Sequence, residues 1–356
     1  MKRTLIALGV AATVILPINA QAAFKVYGKL NVAVEKYEDD RGGALTTADV
    51  ENIQVSSYAS RLGVKGEDEL TANLSAVYQM EWQVNGDVTG ADLTARNRFV
   101  GLKHVDFGTI KLGAYDTNLR NAQGKVDLFN DTKGDLQSII SGETRASNVI
   151  GYESPKIADA VSINLQLIPG EGNGQAGAAT SNNNYNGLAD GISASVVYDK
   201  DDLYLAAAYD KEVAGNLVLT TSNLATARRD SVRLVAGYKI ADLALGALYE
   251  TSTGVNEAVP PAASPADLKE TAWLLSAAYK ISDVTLKAQY VAGENDAAAN
   301  APDAKQFTLG ADYNFTSKTK TYLYYTSYEY DTGLTPATNA SSIEWSALAI
   351  GIDHNF

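Results

Sequence analysis

The chain of 356 residues contains no cysteine and only two histidines, His104 and His354. Without thiols there is no disulfide framework, no thiolate metal site and no cysteine nucleophile. Two isolated histidines make no His-rich centre, and no catalytic motif surrounds either one, so neither a metal, a cofactor nor enzyme chemistry is expected. Basic residues are in the minority, 29 Lys and Arg against 42 Asp and Glu, for a formal charge of −13. A nucleic-acid binder would show a basic stripe instead. Beyond the first residues no apolar run approaches the roughly 18 residues that a spanning helix needs, which excludes a helical membrane protein. At 46% hydrophobic and 20% charged, the chain is still too apolar to remain disordered.

What is present begins with an address. Lys2 and Arg3 precede an apolar stretch, Leu5 to Leu16. Pro17 breaks it, and Ala20-Gln21-Ala22 is a small-x-small cleavage site. Residues 1–22 therefore read as an export signal, and 23–356 as one mature domain. Removing Lys2 and Arg3 takes the formal charge from −13 to −15.

After the signal the hydrophobic period is two. Phe24, Val26, Gly28, Leu30, Val32 and Val34 alternate with Lys25, Tyr27, Lys29, Asn31, Ala33 and Glu35. Ala72, Leu74, Ala76, Tyr78, Met80 and Trp82 alternate with Thr71, Asn73, Ser75, Gln79 and Glu81. The pattern continues to Leu348–Phe356, and it is a strand signal. Short connections (near 65–70, 104–109, 154–160, 199–202, 239–242, 280–283 and 314–318) alternate with long ones. Antiparallel neighbours put the two kinds at opposite rims, which predicts sixteen strands. Boundaries read this way shift by about two to four residues, so fourteen or eighteen strands stay open.

Tyrosine, at 20 residues against seven Phe and three Trp, separates a membrane barrel from a soluble sandwich. Tyr238-Lys-Ile-Ala-Asp with Tyr249, Tyr279-Lys-Ile-Ser-Asp with Tyr290, and Tyr313-Asn-Phe-Thr-Ser with Tyr325 repeat one hairpin, and Tyr198 with Tyr209 is a looser copy. In each, an oily-face Tyr stands before the short turn and another near the far strand end. Around a cylinder these make two aromatic girdles at the water–lipid interfaces. In hydrocarbon, strands span only if closed on themselves. The expected fold is thus an all-β transmembrane antiparallel barrel, lipid-facing on its apolar side, with a hydrated lumen. Inward Gly237, Gly246 and Gly310 would leave room in that lumen.

Val26-Tyr-Gly-Lys-Leu, Ser60-Arg-Leu-Gly-Val-Lys-Gly-Glu, Arg96-Asn-Arg-Phe-Val-Gly-Leu, Phe107-Gly-Thr, Leu112-Gly and the terminal Phe356 resemble the general diffusion porins of the Gram-negative outer membrane. The resemblance spans the mature chain. It implies a homotrimer of sixteen-stranded barrels in the outer membrane, in contact with its lipid and lipopolysaccharide. It also implies a third loop, here 116–147, folded into the lumen. By position in these motifs Lys29, Arg61 and Arg96 resemble the family's basic wall cluster. Strand parity turns Lys29 and Arg61 inward and puts Arg98 on the face of Arg96, with Phe99 on the other. On the loop, Val126-Asp-Leu-Phe-Asn-Asp-Thr-Lys-Gly-Asp departs from the family's acidic segment, and makes Asp127, Asp131 and Asp135 the candidate facing carboxylates. Arg145 resembles a basic residue at the loop's return.

These residues together would form a charged constriction that passes ions and small hydrophilic solutes by diffusion. The acidic total hints at cation preference, but charge in outer loops is screened beyond about 8 Å at physiological salt; the constriction decides. A substrate-specific channel is the alternative and would show aromatics along the lumen, of which parity turns inward Tyr204, Tyr322 and Tyr324. A barrel-based outer-membrane enzyme or adhesin is a third reading.

Overall fold

A computed structural model describes residues 24–40, 50–89, 93–170, 186–215, 217–219, 228–255, 268–296, 302–331 and 342–356. The predicted export signal lies outside them. Among the described residues there are seventeen strand segments: β1 Lys25–Asp40, β2 Val50–Ser57, β3 Arg61–Thr71, β4 Leu74–Val84, β5 Leu93–His104, β6 Gly108–Asp116, β7 Arg145–Glu153, β8 Val161–Ile168 and β9 Gly191–Lys200. There follow β10 Leu203–Ala214, β11 Arg228–Ile240, β12 Leu243–Val255, β13 Lys269–Ile281, β14 Val284–Asn295, β15 Asp303–Asn314, β16 Thr319–Asp331 and β17 Ser342–Asn355.

Every neighbouring pair is antiparallel, and β1 pairs with β17 to close the sheet. Segments β2 and β3 both pair with β1, through Val32–Asp39 and Lys25–Lys29. They are two halves of one stave, bent at Tyr58–Ser60 where Ala59 takes φ 46°. The Tyr58 amide and the Ser60 hydroxyl both donate to the Asn31 carbonyl there. The barrel therefore has sixteen staves. At the seam, Gly28 and Phe356 exchange backbone hydrogen bonds of 3.2 and 3.1 Å. A Cβ on Gly28 would sit 2.2 Å from the Phe356 ring, so a larger residue there would displace the terminal ring from the seam.

The two faces are those of an inverted globule. On β1 the lipid-side Leu30 is 49% exposed, while Glu35 on the other face is fully buried. Tyr238, Tyr279 and Tyr313 are exposed before the short turns, and Tyr209, Tyr249 and Tyr325 are exposed toward the long loops. Short hairpins repeat one geometry: Asp201, Ala241 and Ser282 have positive φ, and the next residue, always Asp, accepts from the following stave at 2.8–3.0 Å. Among the short turns, one differs from the sequence reading. The first turn is at Ala72–Asn73 rather than 65–70, because β3 pairs with β4 as far as Thr71–Leu74.

Candidate functional site

The connection between β6 and β7 folds inward and packs on the wall. It opens with a one-turn helix, α1 (Asn118–Asn121), whose N-cap Thr117 accepts from the Arg120 amide. Asn118 fastens the helix by donating to Ser193. Gly124 takes φ 59°, and the Tyr204 ring lies 2.8 Å from where its Cβ would be; only glycine fits. Leu119, Val126, Leu136 and Ile139 then bury against Ala206, Val235, Leu248, Leu274 and Val291 of the wall. Gln289 holds the middle of the loop, accepting from the Leu128 amide at 2.8 Å and donating to Asp127 at 2.9 Å and to the Gly134 carbonyl at 3.1 Å. Glycines read as leaving room for water instead make room for the loop: Gly246 faces Val126, and Gly310 faces Phe129. Part of a second connection joins it, since Leu219 is buried in the same cluster and its amide donates to Glu270.

The loop leaves a polar gap of ≈ 280 Å³ against the wall of β3, β5 and β6. Arg61, Arg96 and Arg120 line it, with Asp116 and Asp131 opposed to them. Asp131, at φ 67°, points its carboxylate at Arg61 (3.2 Å) and Lys29 (3.8 Å). Arg96 is buried and donates to Glu81 at 2.7 Å. Arg120 is held by Asp116 at 3.5 Å and by Glu143 at 3.2 Å.

Of the predicted residues, Arg61, Arg96 and Asp131 meet at this gap. Lys29 lies on its turn side and lines a second cavity with Asp353, 3.5 Å away. Arg145 stands at the loop root, bound to Asp116 at 3.0 Å and to Asn97 at 2.7 Å. The other three are corrections. Arg98 is on the outer face: between Met80↔Arg98 and Trp82↔Ala95 one residue of β4 opposes two of β5. Such a bulge reverses parity, so Arg98 joins the exposed Val100 and Leu102 while Phe99 turns inward onto Tyr115. Asp127 and Asp135 face the interior of the loop. Asp127 accepts from the amides of Phe129 and Leu136, and Asp135 from those of Asp131 and Gln137. Burial pushes the Asp127 carboxyl up to about 6; burial, and then the charge of Asp127, raise Asp135 well above the usual carboxylate range.

Sequence reasoning missed Arg120, Glu81 and Glu143. Glu81 carried a signal, because it alternates with Met80 and Trp82 on the polar face. Arg120 carried a fainter one, four residues after Asp116 behind a capping threonine. Arg233, which parity reads as a lumen residue, is fully buried between Glu143 (2.8 Å) and Glu250 (2.6 Å).

A closed barrel with lipid-facing Leu and Tyr outside and a charged gap beside an inward loop defines an outer-membrane channel. A family model for Gram-negative porins matches residues 5–333, and the chain belongs to that family. It is similar to the major outer membrane protein P.IB of Neisseria lactamica, 24% identical over 90% of this chain and 91% of that one. The P.IB protein of Neisseria gonorrhoeae is 25% identical over the same shares. Among solved structures, the anion-selective porin from Comamonas acidovorans superposes with a TM-score of 0.73 at 20% identity, covering 94% of this chain and all of that one. The OmpF of Salmonella typhi in complex with daunomycin gives 0.67 at 18%, covering 94% and 97%.

Proposed function

We propose that this porin passes small hydrophilic solutes and ions by diffusion through the gap between loop and wall, with a mild preference for anions. The observation that carries this is the lining of the gap, where Arg61, Arg96 and Arg120 meet Asp116 and Asp131, while Glu81 and Glu143, the partners of Arg96 and Arg120, stand outside the lining. Opposed charges across a neck with low-dielectric walls set up a transverse field that focuses potential on the passing solute. Polar solutes align in it. Bulky apolar ones must shed water and are turned back. Among the lining side chains three are basic and two acidic, which favours anions although the whole chain is acidic, and the resemblance to an anion-selective porin supports the same sign. We further read the chain as exported by residues 1–22, assembled as a homotrimer, bordered by lipid and lipopolysaccharide, and without catalytic chemistry.

Protein reconstituted in a planar bilayer under a KCl gradient tests this. The expected result is ohmic steps in threes and a reversal potential of anion sign, moved toward cations by Arg61→Ser with Arg120→Ser. A cation-sign potential in the native protein, or no movement in the variant, overturns it. A second reading, a substrate-specific channel, draws on one observation. Tyr37, Trp345 and Tyr328 form an aromatic surface inside the loop rim, with ring centroids 6.1 and 5.0 Å apart and Lys133 4.7 Å over Tyr37. Current block by an aromatic solute, relieved by Trp345→Ala, would favour it.

A further inference from the structure

On the turn side of the gap the wall carries a charge on each successive stave, and the sign alternates. Lys287 is on β14, Asp312 on β15, Lys320 on β16, Asp353 on β17 and Lys29 on β1. Asp312 bridges Lys287 and Lys320 at 2.8 and 2.7 Å. Asp353 lies directly across the sheet from Lys320 and 3.5 Å from Lys29. The loop tip roofs this arc: Lys287 donates to the Leu128 carbonyl at 3.2 Å and lies 4.6 Å over the Phe129 ring. Between roof and wall is a cavity of ≈ 80 Å³, several times what one water molecule occupies.

Three ammonium groups carry nine N–H donors. Their oxygen partners among the described residues are Asp312, Asp353, Asp131 and the Leu128 carbonyl. Asp131 is shared with Arg61. With Arg61 counted, four cations meet three carboxylates, so N–H donors remain for a ligand at this small cavity, and Phe129 and Tyr322 give it an apolar side. A group with two anionic oxygens and a short alkyl body suits this lining: the oxygens take the surplus N–H donors, and the alkyl part lies on the rings. We propose that this cavity is a stepping site for small aliphatic monocarboxylates, occupied after the gap has been crossed. It rests on the channel reading and adds a preferred solute class and a second site to it.

Single-channel conductance in increasing potassium acetate, against potassium chloride, is the test. Acetate conductance should saturate well below chloride conductance. Lys320→Gln should raise the half-saturating acetate concentration about three- to fivefold, as the loss of one partly exposed charge contact predicts. Lys320→Arg should restore it, and Lys318→Gln, which removes the same charge from the adjoining turn, should leave it unchanged. Acetate conductance that rises linearly, that saturates together with chloride, or that responds equally to both glutamines would overturn the site while leaving the selectivity of the Arg61 gap standing. Absence of ion steps altogether would instead overturn the channel reading, and the site with it.

Discussion

The lumen has two unlike walls. From β9 to β15 the wall is packed under the loop: small or apolar Ala206, Ala208, Val235, Leu248, Ala272 and Val291 are buried there, interleaved with buried polar residues that hold the loop, among them Ser193, Arg233, Glu250 and Gln289. From β1 to β6 the inward residues are polar or charged: Lys29, Asn31, Arg61, Glu81 and Arg96. One strand period generates both, since in each the inward set is every second residue. The contrast shows that an inward position need not be wet. Half the cylinder is chiefly a seat for its own loop, closely packed and hydrogen-bonded, and the proposed gap lies against the other half.

The largest effects should come from the seat. Arg233→Met removes the cation between Glu143 and Glu250; Glu143 keeps Arg120, but the buried Glu250 loses its ion-pair partner, at a cost of about 3–5 kcal/mol. The loop should loosen, seen as flickering, larger conductance steps, while the barrel persists. Adding Glu143→Gln and Glu250→Gln should quieten the trace again; if the single variant is already quiet, the clamp does not hold the loop. Next comes Leu136→Ala, which empties a fully buried position and should cost about 2–5 kcal/mol of packing. Proteolysis of the loop in intact barrels measures it, and unchanged resistance would count against the packed seat.

On the passage side the expected effects are in selectivity and not in stability. Arg96→Ser should move the reversal potential toward cations, whereas Arg98→Ser should leave it alone. Equal shifts would mean that the bulge in β5 is misplaced. The smallest effect concerns pH. Burial raises the Asp127 carboxyl to about 6 and raises the neighbouring Asp135 as well, so the docked loop takes up protons that the released loop does not. Docking should strengthen as pH falls from 7 toward 4, and open-channel noise should fall with it. Asp127→Asn together with Asp135→Asn should flatten that dependence; noise that rises on acidification would reverse the sign.

Much of this was legible in the alternation. Parity placed Leu30 outside and Asn31 inside, the Tyr-Lys-Ile-x-Asp repeat gave the turns and girdles, and the position of Arg61 after Ser60 pointed to the wall. Illegible parts have local causes. A single extra residue in β5 turned Arg98 to the outside, and alternation has no means of announcing a bulge. Asp127 and Asp135 resemble gap residues in composition, yet the loop folds around its own carboxylates, and internal amide acceptance leaves no trace in residue type. Gly246 and Gly310 looked like empty lumen because their partners, Val126 and Phe129, lie more than a hundred residues away in the chain. Arg120 became visible only when the loop's first turn brought it beside Asp116.

The native chain has no cysteine, which makes one measurement unusually direct. Single variants Arg61→Cys, Arg96→Cys, Arg120→Cys and Arg98→Cys, each in a planar bilayer, can be exposed to a charged, water-soluble thiol reagent while current is recorded. A passage running between the loop and the β3–β5 wall predicts a stepwise fall in current for the first three and none for Arg98→Cys. Current that is insensitive at Arg61→Cys, or blocked at Arg98→Cys, would contradict it.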